Sequence, residues 1–277
     1  FGEPATAPRI VCIALIVAGI AGLKIFGNGT AAAGAGARRS SRRLPPLDKR
    51  IATPAKSIVQ TLVPANERLA AMILAAEALE RLKQGNLRFA SGVHSGNPFE
   101  SQGRRIELVF AHEPFAIILG CSDSRVPAEI IFDQGLGDLF VIRVAGNIVA
   151  PSQIGSVEFA AVRSGTRLVV VLGHSQCGAI LATLDELRQP ALNPSHNLHS
   201  IVDRVRPSVE VLLATELRND HDALVRHAVR ANVLASANQL RHGSEVLEQL
   251  IRDDGLRVVG AQYSPETGAL ESFDTPD

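Results

Sequence analysis

A chain of 277 residues, 46% of them hydrophobic, is long enough for one large domain or two small ones with a sizeable core. Its formal net charge is zero but unevenly spread: residues 1–50 carry eight Lys/Arg against two Asp/Glu, or +6, and the rest carry 20 against 26, or −6. A mildly acidic globular part with no tryptophan and one tyrosine argues against a basic nucleic-acid surface or a base-stacking platform.

The chain order begins with an apolar run at residues 10–23, continued by Lys24, Ile25 and Phe26. It is shorter than the roughly 20 residues that a spanning helix needs. An Ala/Gly stretch follows, then Arg38-Arg39-Ser40-Ser41-Arg42-Arg43, with no acidic residue between Glu3 and Asp48. Arg- and Ser-rich, acid-poor composition is a targeting signature. Residues 1–64 therefore read as an extension: a targeting segment, an anchor or a disordered arm. Membrane contact is conceivable only through residues 10–26, and localisation stays open between cytoplasmic and exported or membrane-associated.

From about Asn66 the spacing becomes helical, with Leu69, Met72, Ile73, Ala76, Leu79 and Leu82 at intervals of three and four. Strands are predicted at 115–120, 139–144, 168–173 and 256–260. Helices are predicted between and after them at 152–164, 178–188, 198–215 and 221–251. This alternation implies an α/β fold, a mostly parallel sheet flanked by helices. Residues 258–273 read as a last strand that turns at Pro265–Gly268 into an antiparallel edge strand. The domain division is 1–64 and 65–277, with a helical arm opening the second part.

Two strings carry chemistry. Cys121-Ser122-Asp123-Ser124-Arg125 follows the apolar run 115–119, and His174-Ser175-Gln176-Cys177 follows 168–172. Continuous apolar runs are how buried parallel strands read. Sites in open α/β sheets form at the carboxyl ends of such strands. The third cysteine, Cys12, lies in the N-terminal run, and nothing resembles a disulfide framework. Two thiols, an imidazole and a carboxylate make a donor set suited to Zn²⁺. Asp123 has a choice: as a near neighbour of Cys121 in an extended segment it can reach a metal, or it can accept the Arg125 fork. Asp133 and Asp138 read as turn residues beside Gly135 and Gly137, and Arg143 as an ion-pair partner at a sheet end.

These strings, with Phe132-Asp133-Gln134-Gly135-Leu136-Gly137-Asp138-Leu139-Phe140, Arg143-Val144-Ala145-Gly146-Asn147 and Gly155-Ser156-Val157-Glu158-Phe159-Ala160, resemble the β-class carbonic anhydrases over residues 65–277. The resemblance implies one Zn²⁺ per chain, held by Cys121, His174 and Cys177. The fourth position goes to Asp123 in a closed resting site or to water in an active one. It implies hydration of CO₂ to bicarbonate, with Arg125 drawing Asp123 away and Asp123 then orienting the water. Because two thiolates donate more charge than histidines, the bound water is expected to ionise at a higher pH than the usual value of about 7, and activity to rise with pH as it ionises and Asp123 is displaced. The resemblance also implies a homodimer or higher oligomer and an apolar substrate pocket involving Phe140, Ala145, Gly146 and the Gly178 N–H. In that pocket His112 stands where many relatives have glutamine, and Phe159 where some have tyrosine. Two other readings stay open: a CS₂/COS hydrolase on the same fold, and a non-catalytic zinc module used for regulation.

Overall fold

The computed structural model describes residues 73–93, 105–106, 108–109, 113–189 and 195–273. The apolar run at 10–26, Cys12, His112 and the start of the predicted arm helix lie outside these residues. Among the described residues, no helix is long and apolar enough to cross a membrane.

The arm helix α1 spans Ala75–Ala90. Strands β1 (Ala116–Gly120), β2 (Leu139–Arg143), β3 (Leu168–His174), β4 (Arg257–Tyr263) and β5 (Leu270–Phe273) form one sheet in the order β2-β1-β3-β4-β5. The first four pair in parallel and β5 runs antiparallel to β4. Between them come α2 (Ala128–Ile131), α3 (Pro151–Arg163), α4 (Gly178–Arg188), α5 (His196–Val209), α6 (His221–His242) and α7 (Glu245–Asp253). The predicted fold class is therefore the observed one.

Strand alternation divides the core between the two faces of the sheet. Ile118, Val170 and Leu172 pack with Leu82 of α1 and with Ile131 and Phe132. Ile117, Leu119, Val169 and Val171 pack with Val157 of α3, with Val233 and Leu240 of α6 and with Leu247 of α7. Every residue of β1 and β3 is buried. Removing each Ile, Leu or Val from water contributes about 1.5–3 kcal/mol, an upper bound because the unfolded chain already hides some of this area. A third apolar cluster surrounds Cys121 and Cys177 with Ile148, Ile180, Leu184, Val205, Leu224 and Val229.

Two predicted helices are shorter than expected. The predicted 221–251 helix is two, α6 and α7, broken at Gly243. Ser244 caps α7 by accepting from Leu247 N at 3.2 Å, and its hydroxyl donates to Glu158 Oε1. Hydroxyl caps offer the backbone an alternative to continuing a helix. The predicted 198–215 helix ends at Val209 and tightens into a 3₁₀ segment, Glu210–Ala214. At the arm, Asn86 donates to Ile131 O at 3.2 Å and to Gly268 O at 2.9 Å, and accepts from Leu270 N. It binds α1 to α2 and to the β4–β5 turn.

Candidate metal centre

Register brings the two strings together. β1 and β3 are neighbours, with Gly120 opposite Leu172, so Cys121 leaves β1 beside the end of β3, whose last residue is His174. Cys177 follows at the start of α4. The donor atoms of Cys121, His174 and Cys177 all lie within 4.8 Å of one another, and all three residues are buried. The two Sγ atoms are 3.9 Å apart. Two sulfurs at the usual zinc–sulfur length and a tetrahedral angle stand about 3.8 Å apart.

His174 is turned for ligation. Its ring Nδ1 lies 2.9 Å from Ser175 O. A carbonyl can only accept, so Nδ1 carries the proton and Nε2 holds a free lone pair. A ligating histidine fixed in this way by a backbone carbonyl is the usual outer-shell arrangement. Among the described residues, the buried side-chain polar atoms without a hydrogen-bond partner are His174 Nε2 and Asn147 Nδ2. A buried acceptor left empty is costly unless something fills it. The donor set, its spacing and the unpartnered Nε2 all fit zinc.

The sulfurs behave as a pair. The neighbouring Cys177 thiol pulls the Cys121 thiol down, helped by His174 and the Gly146 N–H and opposed by burial. Cys177 is pushed up, first by its bond to Cys121 and then by burial. One negative charge is thus stabilised and a second resisted, until a divalent cation compensates both.

Asp123 takes the second of its two options. Its Oδ1 accepts from the Arg125 backbone N at 2.9 Å and from Nε at 3.0 Å, and its Oδ2 accepts from Nη2 at 2.8 Å. The Arg125 side chain holds the Asp123 carboxyl well below the usual carboxylate range, and Asp123 in turn raises Arg125. Asp123 Oδ2 lies 3.9 Å from His174 Nε2, too long for a hydrogen bond. The structure therefore brings Cys121, His174 and Cys177 together and holds the carboxylate beside them on the guanidinium. Arg125 Nη2 also donates to Gln176 O at 3.2 Å, linking the two strings.

Arg143 differs from its expected role. Among the described residues it forms no ion pair: Nε donates to Cys121 O at 3.1 Å and Nη2 to Asp123 O at 2.6 Å. β2 pairing places Arg143 opposite Gly120, next to the carbonyls it holds. Asp138 accepts from Gly135 N at 3.0 Å, as a turn residue would, and also from Arg81. Asp133 accepts from Arg88 Nε at 2.6 Å.

Of the predicted pocket residues, Phe140 is half-buried and packs against the core, while Phe159 is 58% exposed. Their ring centroids lie 6.3 Å apart. Ala145 and Gly146 form a 3₁₀ turn after β2, and Gly178 is exposed in the first turn of α4. Glu266 went unnoticed in the sequence. Its Oε2 accepts from Ser175 Oγ at 2.7 Å and Ser264 Oγ at 2.9 Å, and the Ser175 bond lowers its carboxyl.

A Cys–His–Cys cluster at the carboxyl ends of two central parallel strands, with an arginine-held aspartate alongside, is the donor set of a candidate metal centre on an α/β fold. Residues 116–270 match the sequence profile of the family described as carbonic anhydrase. The chain is 39% identical over 191 residues to carbonic anhydrase 2 of Mycobacterium tuberculosis, covering 69% of this chain and 89% of that one. It is similar in structure to the β-carbonic anhydrase CafA of Aspergillus fumigatus, with a TM-score of 0.56 at 28% identity, over 62% of this chain and 81% of that one. It is similar also to tetrameric β-carbonic anhydrases from Sordaria macrospora, with a TM-score of 0.55 at 25% identity, over 62% and 86%. The chain belongs to the carbonic anhydrase family, and within it to the β class.

Proposed function

We propose that this chain is a carbonate dehydratase that hydrates CO₂ reversibly to bicarbonate and a proton, with one zinc ion held by Cys121, His174 and Cys177. The observation that carries this reading is the buried trio itself, with donor atoms within 4.8 Å and Nε2 unpartnered. When bound, zinc supplies a Lewis acid that brings the pKa of a water toward about 7 and so makes a nucleophile available near neutral pH.

The protein's part is to shape and orient. Ser175 O holds the His174 proton on Nδ1, which keeps Nε2 available. Arg143 fixes the Cys121 and Asp123 carbonyls, so the thiol and carboxylate leave one rigid loop. Asp123, kept ionised by Arg125, presents Oδ2 to the centre as a hydrogen-bond acceptor. A carboxylate held there orients the O–H of an incoming nucleophile and directs its lone pair toward CO₂. Ile148, Ile180 and Val205 pack around the thiols and keep that side dry.

The exposed Phe159 and Val162 of α3 and the half-buried edge strand β2 leave an apolar flank. That flank and the tetrameric Sordaria relatives support a homo-oligomer.

The test is metal analysis together with stopped-flow CO₂ hydration on the full chain, with CS₂ and COS assayed in parallel. One zinc per chain and rapid CO₂ turnover are expected. Zinc without CO₂ turnover would return the function to a sulfur substrate or to a structural metal.

A further inference from the structure

Asn232 is a buried polar side chain that the mechanism above does not use. It lies in the middle of α6, is 2% exposed, and its neighbours Ala228, Val229 and Val233 are all apolar and buried. Asparagine is a poor helix former, and burying its amide is unfavourable without a partner. Among the described residues its side-chain partner is a single atom: Nδ2 donates to Gly146 O at 2.8 Å.

Gly146 is tied to the metal centre through its other backbone group. Its N–H donates to Cys121 Sγ at 3.4 Å. The turn that makes this possible is strained, because Gly146 has φ 71° and the next residue, Asn147, has φ 43°. A left-handed asparagine is tolerated but uncommon, and two left-handed residues in a row need outside support. Packing provides part of it, since a Cβ on Gly146 would stand 3.1 Å from Ala179 Cβ. The Asn232 hydrogen bond provides the directional part. The same stretch of α6 closes on β3 just before His174, where a Cβ on Gly173 would stand 2.4 Å from Val233 Cγ2. One helical segment therefore touches the backbone behind His174 and anchors the turn behind Cys121.

We propose that Asn232 is a positioning residue of the metal centre: by anchoring the Gly146 carbonyl it keeps the Gly146 N–H aimed at Cys121 Sγ, and so sets how that sulfur meets a cation. The inference rests on the zinc reading above. An N–H donated to a thiolate draws charge from the sulfur and fixes the direction of its lone pairs. Without the anchor the turn relaxes, the N–H swings off, and the sulfur becomes richer in charge but less well aimed.

The experiment compares the full-length wild type with Asn232→Leu, close in shape but without the donor, and with Asn86→Ala. Asn86 is another buried asparagine that joins backbone carbonyls, but at α1 and away from the centre. Zinc affinity is read by chelator competition, and the sulfur by the charge-transfer band of the cobalt-substituted protein. Asn232→Leu is expected to weaken zinc binding about 10- to 100-fold, the range typical of outer-shell partners of a metal ligand. Its cobalt band is expected to move to lower energy, because a sulfur without its N–H gives up charge more easily. Asn86→Ala is expected to lower the melting temperature while leaving affinity and band near wild type.

Unchanged affinity and band in Asn232→Leu would overturn the proposal, as would an equal loss in Asn86→Ala. Should Asn232→Leu not fold, the cadmium-loaded wild type still decides. Coupling between cadmium and the Gly146 amide proton through Cys121 is expected, and its absence overturns the relay. A wild type that takes up no zinc sinks the zinc reading and this inference together. A wild type that binds zinc while indifferent to Asn232 sinks only the inference.

Discussion

The buried trio and the Asp123–Arg125 pair occupy one site but are held in opposite ways. Cys121, His174 and Cys177 issue from the sheet and the start of α4, and their surroundings are apolar. Two of the three are fixed by backbone: Ser175 O for the imidazole, Gly146 N–H for Cys121. The Arg125 side chain, in contrast, is 50% exposed, and its grip on Asp123 is local, two residues along the chain. A pair of this kind is screened by water and can open at little cost. The contrast separates the tasks. Rigidity belongs to the atoms that must hold a cation, and mobility to the carboxylate that must choose between a guanidinium and the centre.

The largest effects should come from breaking the rigid half. His174→Ala or Cys177→Ala removes a donor that nothing nearby replaces. Zinc content is expected to fall to background by metal analysis, and CO₂ hydration with it. A variant that kept full zinc occupancy would show that the trio is not the site.

The mobile half should separate activity from metal. Asp123→Asn keeps the side-chain shape but removes the charge that Arg125 holds. Zinc occupancy is expected to stay near wild type while CO₂ hydration falls about 10- to 100-fold, as for the loss of a group that orients the nucleophile. Arg125→Ala should fall by a similar factor, because Asp123 loses both hydrogen bonds from the guanidinium and keeps only the one from the backbone N–H of residue 125. If either variant also lost its zinc, the two halves would not be independent and the comparison would fail.

The same halves were unequally legible in the sequence. Cys121, His174 and Cys177 stood out because their residue types have few uses beyond a metal and because each string follows a β-branched apolar run. Strand β2 is as apolar, Leu139-Phe140-Val141-Ile142, yet is only half-buried, since its place at the sheet edge depends on topology rather than composition. The supporting residues were barely legible: Arg143 was read at its sheet end but as an ion-pair partner, and Asn232 and Glu266 were not read at all. Arg143, Asn232 and Glu266 act across 20, 86 and 91 residues, and the first two act on backbone carbonyls. A carbonyl is the same at every position, so a partner aimed at one leaves no mark on the residue it serves. The α6–α7 break was missed in the predicted 221–251 helix, although Gly243-Ser244 carries its signal, a stop followed by a cap.

Acid should sharpen the contrast in stability. Asp123 has a folded pKa below its unfolded value of about 3.9. Its pair with Arg125 therefore stabilises the fold above that value, and the contribution is lost only as pH falls toward the lower folded pKa. Denaturation curves of wild type and Asp123→Asn should thus differ by a constant amount from neutral pH down to about 5 and converge below about 4. Bound zinc is expected to leave earlier on this scale, because protons compete for the ligand atoms. A wild type that loses the Asp123 contribution before its zinc would reverse the order.

The smallest effect belongs to Glu266, which touches both halves lightly. It anchors Ser175, whose carbonyl holds His174, and its charge acts on Arg125. Glu266→Gln keeps an oxygen to accept from the Ser175 and Ser264 hydroxyls and removes only the charge. If the anchoring is what matters, zinc affinity and turnover should both stay within about twofold of wild type. If the charge competes with Asp123 for the guanidinium, turnover should change by up to about fivefold at low salt and the difference should vanish at high salt, since exposed charges are screened. Turnover measured across a salt series distinguishes the two, because a lost hydrogen bond does not return when ions are added.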